Sequence, residues 1–286
     1  PDGSNSFADF VASDAFMKIA NTRLIDQSFS SAQSGDLIET ILDNSQVKFD
    51  TNRSIETGIS TMQSLSSVTE NTLSVLQTIE RSENGSLFIS KSGDLTFKSR
   101  HTTFPSTVAA TFSDDGSDIP YLKVDYINDD NEIFNIVSLQ RLTGSTKTSE
   151  NAASQAKYLI RTLSRTGLFN STDTDVQDAA DFLLSKFQDA IIRFDNLVVD
   201  VTEQSTSNQN TILDRDVTDI IKVELTPPGG GSPSQIIANE IIDSISYNIT
   251  PDIFAVSYKL SNADVQAFLR LNNTLFGILD TDKLGY

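Results

Sequence analysis

At 286 residues the chain can bury a sizeable core without staples, as one large domain or two to three small ones, and with no cysteine it has no disulfide, thiolate metal site or cysteine nucleophile. Its 39 Asp and Glu outnumber 21 Lys and Arg, a net charge of −18, so most of the surface repels phosphates and anionic membranes, and specific nucleic-acid binding is not expected. No apolar run approaches the ~18 residues of a membrane span and no signal peptide is visible; opening on Pro1 in "PDGSNSFADF", the sequence is expected to be a processed or partial chain.

In chain order, "FADFVASDAFMKIANTRL" places Phe10, Phe16, Ile19, Ala20 and Leu24 around a short helix after a strand end, with Ser13 as N-cap in front of Asp14. "SAQSGDLIETILDNSQVKF" sets Leu37, Ile38, Ile41 and Leu42 on one helical face, with Asp36 and Glu39 near the positive end of the helix dipole. "SVTENTLSVLQTIERSENG" repeats the pattern with Leu73, Leu76 and Ile79 and stops at Gly85. "SLFISKSGDLTFKS" then alternates about a Ser-Gly turn, which marks a hairpin. Residues 31–102 thus read as a small α+β domain of two helices and a β-hairpin.

Beyond "HTTFPS" the strands lengthen. "STVAATF", "YLKVDYI", "EIFNIVSLQR", "IIRFDNLVVDV", "TDIIKVELT", "QIIANEIIDSISYNI" and "IFAVSYKL" are rich in Ile, Val, Phe and Tyr and separated by turn residues. Two helices interrupt them: "SENAASQAKYLIRTL", and "TDTDVQDAADFLLSKFQDA" with Val176, Ala180, Leu183, Leu184 and Phe187 on its stripe. The fold class is α+β, with an antiparallel, barrel-like sheet of residues 103–262 carrying packed helices.

No catalytic, cofactor or metal residues are expected. His101 is the only histidine, and "SRHTTFP" sets up neither a nucleophile nor a base. Asp114, Asp115, Asp129, Asp130 and Glu132 fall in "SDDGSD" and "NDDNE", which read as solvated turns. Asp173, Asp175 and Asp178 in "STDTDVQD" lack the Gly and distal Glu of a calcium loop and read as a capped helix start. "TPPGGGSPSQ" lacks the Lys-Ser/Thr pair of a phosphate loop and precedes a strand, so it reads as a hairpin loop.

Three phrases in order carry a resemblance: "LTGSTKTSENAASQAKYLIRTLSRTGLFNSTDTDVQDAADFLLSKF", with Tyr158, Arg161, Thr162 and Leu163 at its turn, the "TPPGGGSPSQ" loop leading to "IIDSISYNITPD", and "LSNADVQAFLRLNNTLFGILDTDKLGY". Over residues 119–286 the chain resembles the C-terminal part of minor tail proteins of long-tailed bacteriophages, the proteins of the tail tip or baseplate hub. That resemblance implies a virion protein assembled in the host cytoplasm into a homo-oligomeric ring, a trimer favoured, between tail tube and distal fibres or spike. Its implied partners are the distal tail, tail tube, tape measure and fibre proteins. It makes residues 1–30 the end of a preceding hub segment, with a first barrel expected before Pro1, and 103–262 the hub barrel domain. Residues 263–286 are expected to form a docking tail held by Leu275, Phe276, Ile278, Leu279, Leu284 and Tyr286, because burying each such side chain is worth roughly 1.5 to 3 kcal/mol. The alternative function is a receptor- or carbohydrate-binding module of the tail tip.

Overall fold

The computed structural model describes residues 12–100, 107–127, 133–190, 193–229 and 235–263, and by backbone alone two short strands beyond them. The first stretch runs α1 (Ala15–Ala20), β1 (Gln27–Phe29), β2 (Ala32–Gln33), α2 (Ser34–Leu42), β3 (Arg53–Ile55), β4 (Thr61–Met62), β5 (Leu65–Val68), α3 (Thr72–Glu83), β6 (Ser86–Ile89) and β7 (Leu95–Lys98). The cap of α1 is Asp14, one residue later than the expected Ser13: its carboxylate accepts from Phe16 N at 3.0 Å, and an anion suits that end of the helix dipole better than a hydroxyl. α2 buries Leu37, Ile38, Ile41 and Leu42, as its spacing predicts, against Val75, Leu76 and Ile79 of α3 and Phe97 of β7. Ile19 of α1 and Leu24 just after it enter the same core, and α1 packs against α3.

α3 ends on Asn84 in the left-handed region (φ 56°), and Gly85 follows. A Cβ on Gly85 would lie 2.4 Å from the Lys98 carbonyl, so only glycine lets the chain turn this tightly into β6. β6 pairs antiparallel with β7 across the Ser-Gly turn, and β3 adds a parallel edge.

The remainder runs β8 (Ala110–Ser113), β9 (Lys123–Ile127), β10 (Ile136–Arg141), β11 (Thr146–Glu150), α4 (Ala152–Tyr158), β12 (Thr162–Leu168), α5 (Asp173–Phe187), β13 (Arg193–Asp200), α6 (Thr206–Leu213), β14 (Ile220–Leu225), β15 (Ile236–Ile249), β16 (Phe254–Asn262), β17 (Phe268–Leu269) and β18 (Lys283–Leu284). Six strands form one sheet in the order β8-β14-β15-β16-β13-β9. It is mixed rather than purely antiparallel, because β8 joins β14 in parallel. Phe112 on β8 and Tyr258 on β16 stand three places apart, about 14 Å in a flat sheet at ~4.8 Å per strand, yet their rings meet at 5.9 Å. The sheet therefore curls into a half-barrel, helped by bulges at Phe194/Asn196 and Ile242/Ser244. Its concave side is filled by Phe112, Phe194, Leu197, Val199, Ile221, Val223, Val256 and Tyr258. No pairing between β8 and β9 closes it among the described residues.

β10 leaves this sheet for a separate one, antiparallel to β11 and parallel to β12. α5 covers it, burying Val176, Ala179, Ala180 and Leu183 against Val137 and Leu139, while the expected Leu184 and Phe187 are only partly buried. The first stretch is tied to the remainder where Phe169 N donates to Ser82 Oγ at 2.8 Å and Lys98 Nζ to Thr218 Oγ1 at 2.6 Å.

Candidate interaction surface

The expected tail residues Leu275, Phe276, Ile278, Leu279 and Tyr286 lie outside the described residues, and Leu284 is described only as backbone in β18, which pairs in parallel with β17. His101, Asp129, Asp130 and Glu132 also lie outside them.

The acidic turns that are described are structural clasps. Asp114 accepts from Thr226 N at 2.9 Å and Thr226 Oγ1 at 2.9 Å, tying the β8 end to the loop after β14. Beside it Tyr121 donates to the Glu224 carbonyl at 3.0 Å, and burial with the nearby Asp114 charge pushes its pKa up to about 12. At α5, Thr172 and Asp175 make a reciprocal capping box. Burial raises the Asp178 carboxyl, opposed by Arg100.

Asp173 reaches back instead. It accepts from Ser145 Oγ at 2.5 Å and from Arg141 Nε at 2.6 Å, with Lys147 Nζ at 3.6 Å. These contacts, the Ser145 hydrogen bond foremost, hold its pKa well below the ordinary carboxylate range. A depressed folded-state pKa supplies stability that is present above the unfolded value of ~3.9 and is lost as pH falls through the folded value. Asp173→Asn is therefore expected to lower the urea midpoint at pH 7 and to converge with the parent protein at strongly acid pH. A gap that stays constant with pH would refute this.

The phrase around Tyr158 forms a turn. Asn135, fully buried, donates Nδ2 to the Leu159 carbonyl at 2.6 Å and accepts from Arg161 N at 2.9 Å, with Leu159 at φ 63°. The chain thus leaves α4 early and enters β12, and Leu159 and Ile160 are thrown to the surface. Below it, a cleft of about 420 Å³ is lined by Phe134, Phe187, Arg193, Asp195, Asp243 and Lys259. Of the carboxylates lining it, Asp195 is engaged by Lys259 and Asp243 by Ser261 Oγ at 2.9 Å. Among the described residues no group of three or more His, Asp or Glu is placed to hold a metal ion, and no helix is long and apolar enough to cross a membrane.

The far end of the β15–β16 hairpin exposes Tyr247, Ile249 and Ile253 at 49, 67 and 48%. β15 was legible as a strand, but the exposure of its distal half was not, because alternation does not say where the neighbouring strand stops.

The chain shares its fold with solved tail proteins. One is the 43 kDa tail protein of prophage MuSo2 from Shewanella oneidensis, at 10% identity and TM-score 0.58, with 89% of this chain and 70% of that one covered. Another is the tail protein from Neisseria meningitidis MC58, at 11% identity and TM-score 0.58, with 87% and 72% covered. No protein-family model matches the chain, and no curated protein matches it in sequence.

Proposed function

We propose that this chain is a structural, non-enzymatic protein of a bacteriophage tail, at the tail tip or baseplate hub. The observation that carries the reading is one fold shared along 89% and 87% of the chain with two tail proteins. The ordered phrases from Leu142 to Tyr286 support the finer placement. On this reading the half-barrel and its strands 103–262 are the hub barrel, 31–102 is the helix-hairpin domain, and 263–286 docks on the hub's own barrel or on an adjacent subunit. The hub is a homo-oligomeric ring, a trimer favoured, contacting the distal tail, tube, tape measure and fibre proteins. With a net charge of −18, free copies repel one another, so neighbours supply the contacts that hold the ring.

Counting copies in purified particles tests the ring: a multiple of three is expected, and a single copy per tail would sink it. Deleting residues 275–286 is expected to lower incorporation into tails, and unchanged incorporation would show that the segment docks on nothing that matters. Specific glycan binding by the purified chain would favour the recognition module instead, and clearing of peptidoglycan that is lost on one Asp or Glu substitution would overturn the non-enzymatic role.

A further inference from the structure

β14 accompanies β15 only as far as Ile241, and Thr218 and Asp219 still bond the backbone of Ile242. Past that point β16 pairs with one side of β15 through Ile249, while no described strand lies along the other side of Ser244–Ile249. An unpaired strand edge is a row of open backbone donors and acceptors. Natural edges are blunted with lysine, proline, an inward charge or a bulge; "SISYNI" carries none of the first three, and the Ile242/Ser244 bulge lies at its start, leaving the rest of the edge regular.

The side chains add a second feature. Ile245 packs against the half-barrel core, and with period-2 alternation Tyr247 and Ile249 continue its face beyond the end of the core. Tyr247 meets Phe254 across the pair at 6.3 Å, and Ile253 flanks the turn. The tip is held in shape: Thr250 N donates to the Ile253 carbonyl at 2.8 Å, and Phe254 N donates to Thr202 Oγ1 at 2.8 Å. A preformed edge loses little entropy when it is extended.

The third feature is charge. Neither 194–214 nor 235–258 contains a Lys, Arg or His, while Asp200, Glu203 and Asp252 surround the tip. Asp200 pairs in register with Ala255, and Glu203 follows the Val201–Thr202 segment that bonds Phe254. Another copy of this chain would bring the same acidic rim, and like charges facing each other disfavour that pairing.

We infer that the outer edge of Ser244–Ile249 is a docking site for an extended segment of a different protein, which adds as a strand, lays apolar side chains on Tyr247 and Ile249, and carries basic residues at its flanks. The inference goes beyond the tail reading and holds for any partner with that chemistry.

The test uses the full chain and synthetic nine-residue peptides with a Val/Thr core, flanked by lysine pairs, by glutamate pairs, or by lysine pairs with a central proline. The first is expected to bind at least tenfold tighter than the other two, weaken with salt, and slow amide exchange in Ser244–Ile249. The surface double variant Glu203→Lys, Asp252→Lys should remove the preference for lysine over glutamate flanks without changing the melting temperature. Ile249→Asp should weaken binding of the lysine-flanked peptide at least tenfold. Equal binding of all three peptides, protection that maps elsewhere, or self-association of the free chain with protection of Ser244–Ile249 would each overturn the assignment. None of these outcomes bears on whether the chain belongs to a virion, so the two readings fail separately.

Discussion

Glu83→Ala is expected to destabilise the protein by roughly 3 kcal/mol or more, since each buried donor left without a partner costs about 1–3 kcal/mol. Glu83 is fully buried at the end of α3. Its Oε2 accepts from Ser60 N at 2.8 Å and Ser34 Oγ at 3.0 Å, and its Oε1 from Ile59 N at 3.3 Å. Alongside, buried Arg100 donates to Ser60 Oγ at 2.9 Å and to the Glu83 carbonyl at 3.3 Å. The network joins the start of α2, the 59–60 turn and the end of α3, so its loss should loosen all three together. Urea unfolding checks this; a change below about 1 kcal/mol would mean that water takes over the orphaned donors. Glu83→Gln, which keeps an acceptor, should lose less.

Tyr258→Ala should cost about 3–5 kcal/mol, the range for removing a large buried aromatic side chain. Tyr258 is fully buried at the centre of the half-barrel, touches Phe112, and donates its hydroxyl to the Ile212 carbonyl at 2.7 Å. Burial raises its pKa far above that of an exposed tyrosine. Tyr258→Phe keeps the ring and removes only the hydrogen bond to the end of α6, so about 1 kcal/mol is expected. Equal losses in the two variants would show that the hydroxyl, not the packing, holds α6 on the sheet.

How much was legible follows from what each segment buries. α2, α3 and α5 carry apolar stripes at helical spacing, and β13, β14, β15 and β16 carry β-branched and aromatic runs, so all were readable. β11 reads TKTSE and buries only Ser149, and α6 reads TSNQNTIL and buries only Ile212, so neither has a periodic signal. β12 was hidden by Leu159 and Ile160, which prolong the helical spacing of α4. The helix stops there because Asn135, distant in sequence, captures the turn. The separation of β10 from the curled sheet is likewise a matter of which partner wins, and local pattern is silent on that. Of the acidic stretches, the capping residues of "STDTDVQD" mark a helix start, whereas "SDDGSD" reads as a solvated turn although Asp114 clasps Thr226; that reach, and the reach of Asp173 to Arg141, needed the tertiary fold.

As proposed above, the half-barrel is a building block of a phage tail. An image of intact particles from the host, with this chain labelled, tests it most directly. Label is expected on every tail, in several copies clustered at the end distal to the capsid. Particles complete in every other protein but free of this chain would contradict it.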